Sequence, residues 1–180
     1  MKKILAIVGS LRKGSYNRQL AEVVGKKLEG RADFKILEYS DLKLLNQDDE
    51  FPEPETVKRI RDEVRASDAL WIFCPEYNHF FSGSLKNVID WLSRPVRGVN
   101  NPILQKMPVA ISGVSPGSNG TALAQDHLVT LLSFLNLDIM NERRLTIAEA
   151  KEDEDGKVDF SKNESYIDKQ IEAFLKYIER

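Results

Sequence analysis

Ala69-Leu70-Trp71-Ile72-Phe73-Cys74 is an unbroken apolar run closed by Pro75. It shows no polar alternation, so a strand built from it must be covered on both faces. Ile4-Leu5-Ala6-Ile7-Val8, ending at Gly9, and Val109-Ala110-Ile111-Ser112 read the same way. Phe34 to Tyr39 and the short Leu137 to Met140 supply two more strands. Between and after them, apolar residues recur at helical spacing. The stripes are Leu20, Val23, Val24 and Leu28; Val57, Ile60 and Val64; Leu85, Val88, Ile89 and Leu92; Ala124, Leu128, Leu131, Leu132 and Leu135; and Ile167, Ile171, Phe174, Leu175 and Ile178. Gly30 stops the first helix. Five strand–helix units in succession predict an α/β fold with a parallel sheet and helices on both faces. Right-handed crossovers then favour a doubly wound three-layer sandwich. No repeat or linker interrupts the pattern, so residues 1–180 read as one domain. The acidic segment Glu149 to Gly156 lacks an apolar period and reads as a solvated loop before the last helix.

Composition narrows the function. Lys plus Arg number 26 and Asp plus Glu 28, a formal charge of −2. That balance offers no electrostatic case for nucleic acid or a membrane surface. One cysteine, Cys74, and two histidines, His79 and His127, exclude an intrachain disulfide and a Cys-rich zinc site, and no metal is expected. Met1-Lys2-Lys3 precedes only the apolar run Ile4 to Val8. A signal-peptide core needs about 7–15 apolar residues and a membrane span about 20. The expected location is the cytoplasm, in keeping with one free thiol. Reactive side chains are scarce. Either the chain is no enzyme, or a bound group carries the chemistry; no side chain is assigned a catalytic role.

In open α/β sheets, ligands bind beyond the carboxyl ends of the strands. Three loops there are unusual. Gly9-Ser10-Leu11-Arg12-Lys13-Gly14-Ser15-Tyr16-Asn17 combines hydroxyls, cations and glycines ahead of a helix N-terminus, a set suited to a phosphate monoester. The competing reading is an ordinary N-cap by Ser15 or Asn17. The glycines have Walker-like spacing, but Ser15 and Tyr16 stand where Lys and Ser/Thr are required, and Gly-x-Gly-x-x-Gly is absent. Pro75-Glu76-Tyr77-Asn78-His79-Phe80-Phe81-Ser82-Gly83 interleaves aromatic and polar groups, as a flat heteroaromatic ring requires, or else caps the core like a hairpin or meets a partner subunit. Ser112-Gly113-Val114-Ser115-Pro116-Gly117-Ser118-Asn119-Gly120-Thr121 is small enough for close ligand approach, or is a plain flexible turn.

Gly9-Ser10-Leu11-Arg12-x-x-Ser15-x-Asn17, Pro75-Glu76-Tyr77-Asn78 and Gly83-x-Leu85-Lys86-Asn87-x-Ile89-Asp90-Trp91-x-Ser93-Arg94 together resemble the NAD(P)H-dependent FMN reductase family. This flavodoxin-like group includes bacterial quinone, chromate and azo-dye reductases, and the resemblance spans roughly residues 3–140. It implies a flavodoxin-like sandwich with a five-stranded parallel sheet in the order 2-1-3-4-5. It implies FMN bound non-covalently, with NADPH or NADH as hydride donor. The reaction would be ping-pong, two electrons passing through FMN to quinones, azo dyes, chromate or free flavin. Matched residue by residue, Ser10, Arg12, Ser15 and Asn17 would hold the phosphate, with Tyr16 beside them. Pro75, Glu76, Tyr77 and Asn78 would line the ring, and Ser115, Gly117 and Gly120 its other edge. Family members often carry a second glycine where Thr121 stands, and the position of His79 often holds another residue, so backbone path and ring access are open at both. A homodimer or homotetramer is implied, with Phe80-Phe81 suited to anchor the interface. The alternatives are a flavodoxin-type one-electron carrier, which the low net charge and Arg12-Lys13 disfavour, and a non-flavin enzyme binding another phosphorylated ligand.

Other residues have plainer readings. His79 is a loop residue at a subunit contact rather than a proton donor to a reduced quinone, and His127 is surface or interface. Cys74 and Trp71 belong to the core. Trp91 packs beside or under the ring loop. Lys86 and Asp90 form a helix-surface pair, and Arg94 complements the helix dipole or meets a partner.

Overall fold

The computed structural model describes residues 1–95 and 102–180. Strand β1 (Lys3–Val8) is followed by α1 (Tyr16–Leu28), β2 (Asp33–Ile36), α2 (Glu55–Arg65) and β3 (Ala69–Phe73). A two-stranded hairpin, β4 (Glu76–Tyr77) and β5 (Phe80–Phe81), leads into α3 (Gly83–Ser93). Then come β6 (Pro108–Val114), α4 (Ala122–Phe134), β7 (Asp138–Ile139), β8 (Leu145–Ile147) and α5 (Glu164–Tyr177). The sheet runs β2-β1-β3-β6-β7, all parallel, and β8 also pairs with β6.

The strand order is the one the resemblance implies, but the fifth strand is broken. β7 pairs at Pro108 and Val109, and β8 pairs farther along at Ser112 to Val114. Between them Asn141–Arg143 forms a 3-10 turn that lifts the chain off the edge of β6. The sheet therefore has six strands, not five, with two short pieces sharing one edge position. The second strand is also shorter than its apolar run, ending at Ile36, although Leu37 N–H still bonds the Ala6 carbonyl.

Both faces of the central strands are buried. Ile4, Ala6 and Val8 of β1 and Ala69, Trp71 and Phe73 of β3 point into the core beneath α1 and α5. Leu5, Ile7, Leu70 and Ile72 point the other way, under α2, α3 and α4. This is why those runs lack polar alternation. Burying each such Leu, Ile or Phe side chain contributes roughly 1.5–3 kcal/mol. Trp71 is wholly buried, so its indole N–H needs an acceptor. It donates to Ser112 Oγ (2.8 Å), and Ser112 Oγ donates to Gln170 Oε1 (2.6 Å). Gln170 Nε2 in turn reaches the Ile111 carbonyl at 2.8 Å, pinning α5 to β6. Cys74 lies in the other core, its thiol pKa pushed up first by burial and then by Glu76. No described helix is long and apolar enough to cross a membrane.

Strand β1 connects to neighbours on both sides, and successive units leave it in opposite directions. That places a crevice at the carboxyl ends of β1 and β3. The three unusual loops all emerge there.

Candidate functional site

A cleft of about 210 Å³ opens at this point. It is lined by Ser10, Arg12, Ser15, Tyr16 and Asn17 from the first loop, Pro75, Glu76 and Tyr77 from the second, and Val114, Ser115 and Pro116 from the third. Nine of the twelve residues expected to bind a cofactor are in this lining, while Asn78, Gly117 and Gly120 are not. A larger cavity of about 390 Å³ lies elsewhere, between the loop after β2 and α2, against Trp91.

The loops are held together tightly. A Cβ on Gly9 would come within 2.6 Å of the Pro75 ring, so only glycine lets β1 and the second loop meet this closely. Ser82 caps α3 through Leu85 N–H (3.2 Å) and also donates to the Gly9 carbonyl, which Ser84 Oγ reaches at 2.9 Å. The buried Tyr39 hydroxyl donates to the Val8 carbonyl at 2.6 Å, and burial raises its pKa. Tyr39, Ser82 and Ser84 were not singled out from sequence. Only the Ser-Gly opening of a helix carried a signal, that of an N-cap.

Within the first loop, donors and clamps separate. Ser15 is the N-cap of α1, accepting from Arg18 N–H at 3.2 Å, which leaves its hydroxyl proton for a ligand. Tyr16 and Asn17 open the helix, where their N–H groups have no intrahelical acceptor. The Arg12 guanidinium lies 4.9 Å from the centre of the Tyr16 ring and is exposed. Asn17 is different. Its side chain is buried, Nδ2 donating to the Val114 carbonyl (3.0 Å) and Oδ1 accepting from Val114 N–H (3.1 Å). It joins α1 to β6, so what it offers a phosphate is its backbone N–H. Two hydroxyls, a guanidinium and a helix N-terminus, with no carboxylate in the loop, fit a phosphate monoester.

The second loop is the hairpin. Asn78 and His79 form its turn with φ of 51° and 63°, the double left-handed geometry of a tight hairpin connection. Tyr77 is half exposed at the cleft; Phe81 is buried in the core and Phe80 is exposed. Phe81 thus packs into the core of its own chain, and only Phe80 of the pair is left exposed. Phe80 stacks on His127 with ring centres 4.4 Å apart. His79 is largely exposed, its Nδ1 3.4 Å from Glu76 Oε1.

The third loop is ordered by its own backbone. Ser115 Oγ donates to the Gly120 carbonyl (2.6 Å) and accepts from Gly117 N–H (3.2 Å). Gly120 N–H bonds the Gly117 carbonyl, which also accepts from Glu149 N–H. Gly120 has φ of 59°, with the Ile147 backbone 3.2 Å from where a Cβ would lie. Ser115, Gly117 and Gly120 thus shape the wall rather than point donors into the cleft. Thr121, the departure from the family pattern, has φ of −127° and needs no glycine. It is fully buried, its hydroxyl accepting from Gln125 Nε2 at 3.0 Å, so it does not block the cleft.

Trp91 lies neither beside nor under the ring loop. It sits at the far end of α3, donating to the Lys43 carbonyl at 2.9 Å. Arg94, the C-cap of α3, pairs with Glu50, and its carbonyl accepts from the buried Arg61. Lys86 and Asp90 form the expected surface pair at 2.6 Å. The acidic segment is less free than expected: Gln19 donates to the Gly156 carbonyl and accepts from Val158 N–H, lashing it to α1.

The NADPH-dependent FMN reductase family matches residues 2–152. The chain is 38% identical to an NAD(P)H-dependent FMN reductase of Pseudomonas aeruginosa over 182 residues, covering 99% of this chain and 96% of that protein. It is 32% identical to a 2-hydroxy-1,4-benzoquinone reductase of a Burkholderia species, covering 98% and 96%. Among solved structures it matches FerB, a flavoenzyme NAD(P)H:(acceptor) oxidoreductase of Paracoccus denitrificans, with a TM-score of 0.88, 35% identity and coverage of 99% and 98%.

Proposed function

The chain belongs to the NADPH-dependent FMN reductase family, and from that premise we propose that its one domain, residues 1–180, binds FMN in the cleft above β1, β3 and β6 and passes two electrons from NADPH or NADH to quinones or related acceptors. The enzyme is an NAD(P)H-dependent oxidoreductase that works with FMN. The observation that carries the assignment of the site is the convergence of three loops, one with phosphate chemistry, one aromatic and one of small residues, in a single cleft.

Ser10, Arg12, Ser15 and the first N–H groups of α1, Asn17 among them, hold the phosphate. Tyr16 walls that end of the cleft and supports Arg12. Pro75, Glu76, Tyr77 and Asn78 line the ring, largely through backbone and the Tyr77 and Asn78 side chains, and the Ser115–Gly120 loop closes its other edge. When bound, FMN supplies the hydride relay. The protein's part is to bind, to orient and to leave one ring face open for donor and acceptor in turn. Buried Cys74 takes no part.

We also propose a homodimer or homotetramer joined through the hairpin and α4. Tyr77, Phe80, Leu123 and Phe134 are exposed apolar side chains on those elements. Residues 123, 127, 130 and 134 fall on one helical face. Sedimentation should give a species larger than a monomer, which Phe80→Asp splits. A cytoplasmic location is proposed from the sequence.

The assignment is tested by purifying the protein and reading its spectrum. It should be yellow, release FMN on denaturation, and oxidise NAD(P)H directly when a quinone is present. Protein that stays colourless after incubation with FMN would refute it. A requirement for a partner reductase would convert it to an electron carrier. Steady-state kinetics with both donors against quinones, azo dyes, chromate and free flavin would rank the acceptors.

A further inference from the structure

We propose that Glu76 is a positioning residue: its carboxylate clamps the ring-lining hairpin to the N-terminus of α4, fixing the two walls of the FMN cleft against each other, and its charge sets the potential of the bound flavin. This rests on the FMN reading of the cleft and deepens it.

Helix α4 lacks a cap of its own. Its N-cap residue, Thr121, makes no side-chain cap bond, its hydroxyl facing Gln125 instead. The buried N–H of Ala124, in the first turn and without an intrahelical acceptor, is taken by Glu76 Oε2 at 3.0 Å, a bond across 48 positions of sequence. A carboxylate there satisfies an orphan donor and meets the positive end of the helix dipole. The Glu76 side chain is only 10% exposed, so this is a fixed contact. The Phe80–His127 stack ties the same hairpin to the same helix a turn farther on. Helix α4 begins where the third loop ends, at Gly120 and Thr121. Through Glu76, the second loop is therefore bolted to the third.

The same carboxylate has an electrostatic consequence. Glu76 is the one acid among the described residues that line the cleft. A negative charge held in a partly desolvated site opposes the addition of electrons nearby. The α4 dipole offsets part of that charge, and neutralising the carboxylate removes what is left.

Two substitutions separate the roles. Glu76→Gln keeps an amide oxygen that accepts from Ala124 N–H but removes the charge. Glu76→Ala removes both. In FMN-free protein, hydrogen exchange at the Ala124 amide should quicken about tenfold or more in Glu76→Ala, where the bond is lost, and stay within about threefold of wild type in Glu76→Gln, where it persists as a neutral bond. FMN titration into the apoproteins should show the same split, with Kd raised about tenfold or more only by Ala. Dye-equilibration potentials should move in Glu76→Gln: a roughly tenfold gain in affinity for reduced over oxidised FMN makes the couple about 30 mV more positive. Unchanged Ala124 exchange in Glu76→Ala overturns the clamp. An unchanged potential in Glu76→Gln overturns the electrostatic role, and this arm stands if the Ala variant fails to fold. A wild-type protein that binds no FMN overturns the functional reading instead, while exchange in the apoprotein still decides the clamp.

Discussion

Arg12→Ala separates a phosphate site from a helix cap. Arg12 lies over the Tyr16 ring at the mouth of the cleft and pairs with no carboxylate in the first loop, so its charge is available to an anion. A hydrogen bond to a charged group contributes about 1.5–3 kcal/mol. Arg12 is exposed, and solvent screening places it at the low end, near 1.5 kcal/mol. That corresponds to roughly a tenfold rise in the FMN dissociation constant. Binding persists because Ser10, Ser15 and the α1 N-terminus remain. The assay is fluorescence titration of FMN and of riboflavin into apoprotein. Riboflavin lacks the phosphate, so its affinity should be the same in variant and wild type. Raising salt should weaken FMN binding to wild type more than to Arg12→Ala, because a screened charge has been removed. The flavin potential should shift by less than about 10 mV, a third of what a tenfold two-electron difference produces. An unchanged FMN constant, or an equal loss for riboflavin, would refute the phosphate role.

Three other outcomes follow from single contacts. Gly113→Ala puts a Cβ 2.0 Å from Thr121 Oγ1 and 2.4 Å from the Cys74 carbonyl, so urea unfolding should show a loss at the upper end of the roughly 1–3 kcal/mol that overpacking costs; a loss below about 0.5 kcal/mol would mean the backbone gives way freely. Asn17→Ala strands the buried N–H and C=O of Val114 and should cost about 2–4 kcal/mol in the same assay, more than a cap alone is worth. Arg31 holds the Glu172 carboxyl below its ordinary value. A lowered carboxyl pKa contributes stability above about pH 4.5 that disappears as pH falls through the lowered value. Glu172→Gln should therefore lower the melting temperature slightly at neutral pH, and the gap from wild type should close as pH falls from about 5 to 3; parallel curves would exclude the linkage.

The layered fold was legible because β1, β3 and β6 are buried on both faces, where apolar residues dominate and a polar one such as Ser112 must find its partners inside. The three loops were legible because their compositions exceed what turns require. The broken edge strand was not. β7 has two residues and β8 three, and both exist only because the β6 backbone beside them is free to pair. Asn17 shows a different limit. An amide at a helix N-terminus looks alike in sequence whether it caps, binds a ligand or clamps a strand, and only the position of Val114 decides. Glu76 shows the same limit over a longer span, since the helix it caps begins dozens of residues later.

Thr121 carries the same reasoning furthest. Where the family often has a second glycine, a β-branched residue raised doubt about the backbone path and access to the ring. The backbone there has negative φ, and the left-handed conformation falls on Gly120 alone. The Thr121 side chain turns inward, against the Cα of Gly113 and the amide of Gln125. Its bulk is accommodated by the glycine on β6, not by the cleft. The residue that makes Thr121 possible is thus Gly113, eight positions earlier and directly before the cleft wall at Val114. A departure from a family pattern at one position is harmless when the residue packed against it is small, and that pairing is visible only in three dimensions.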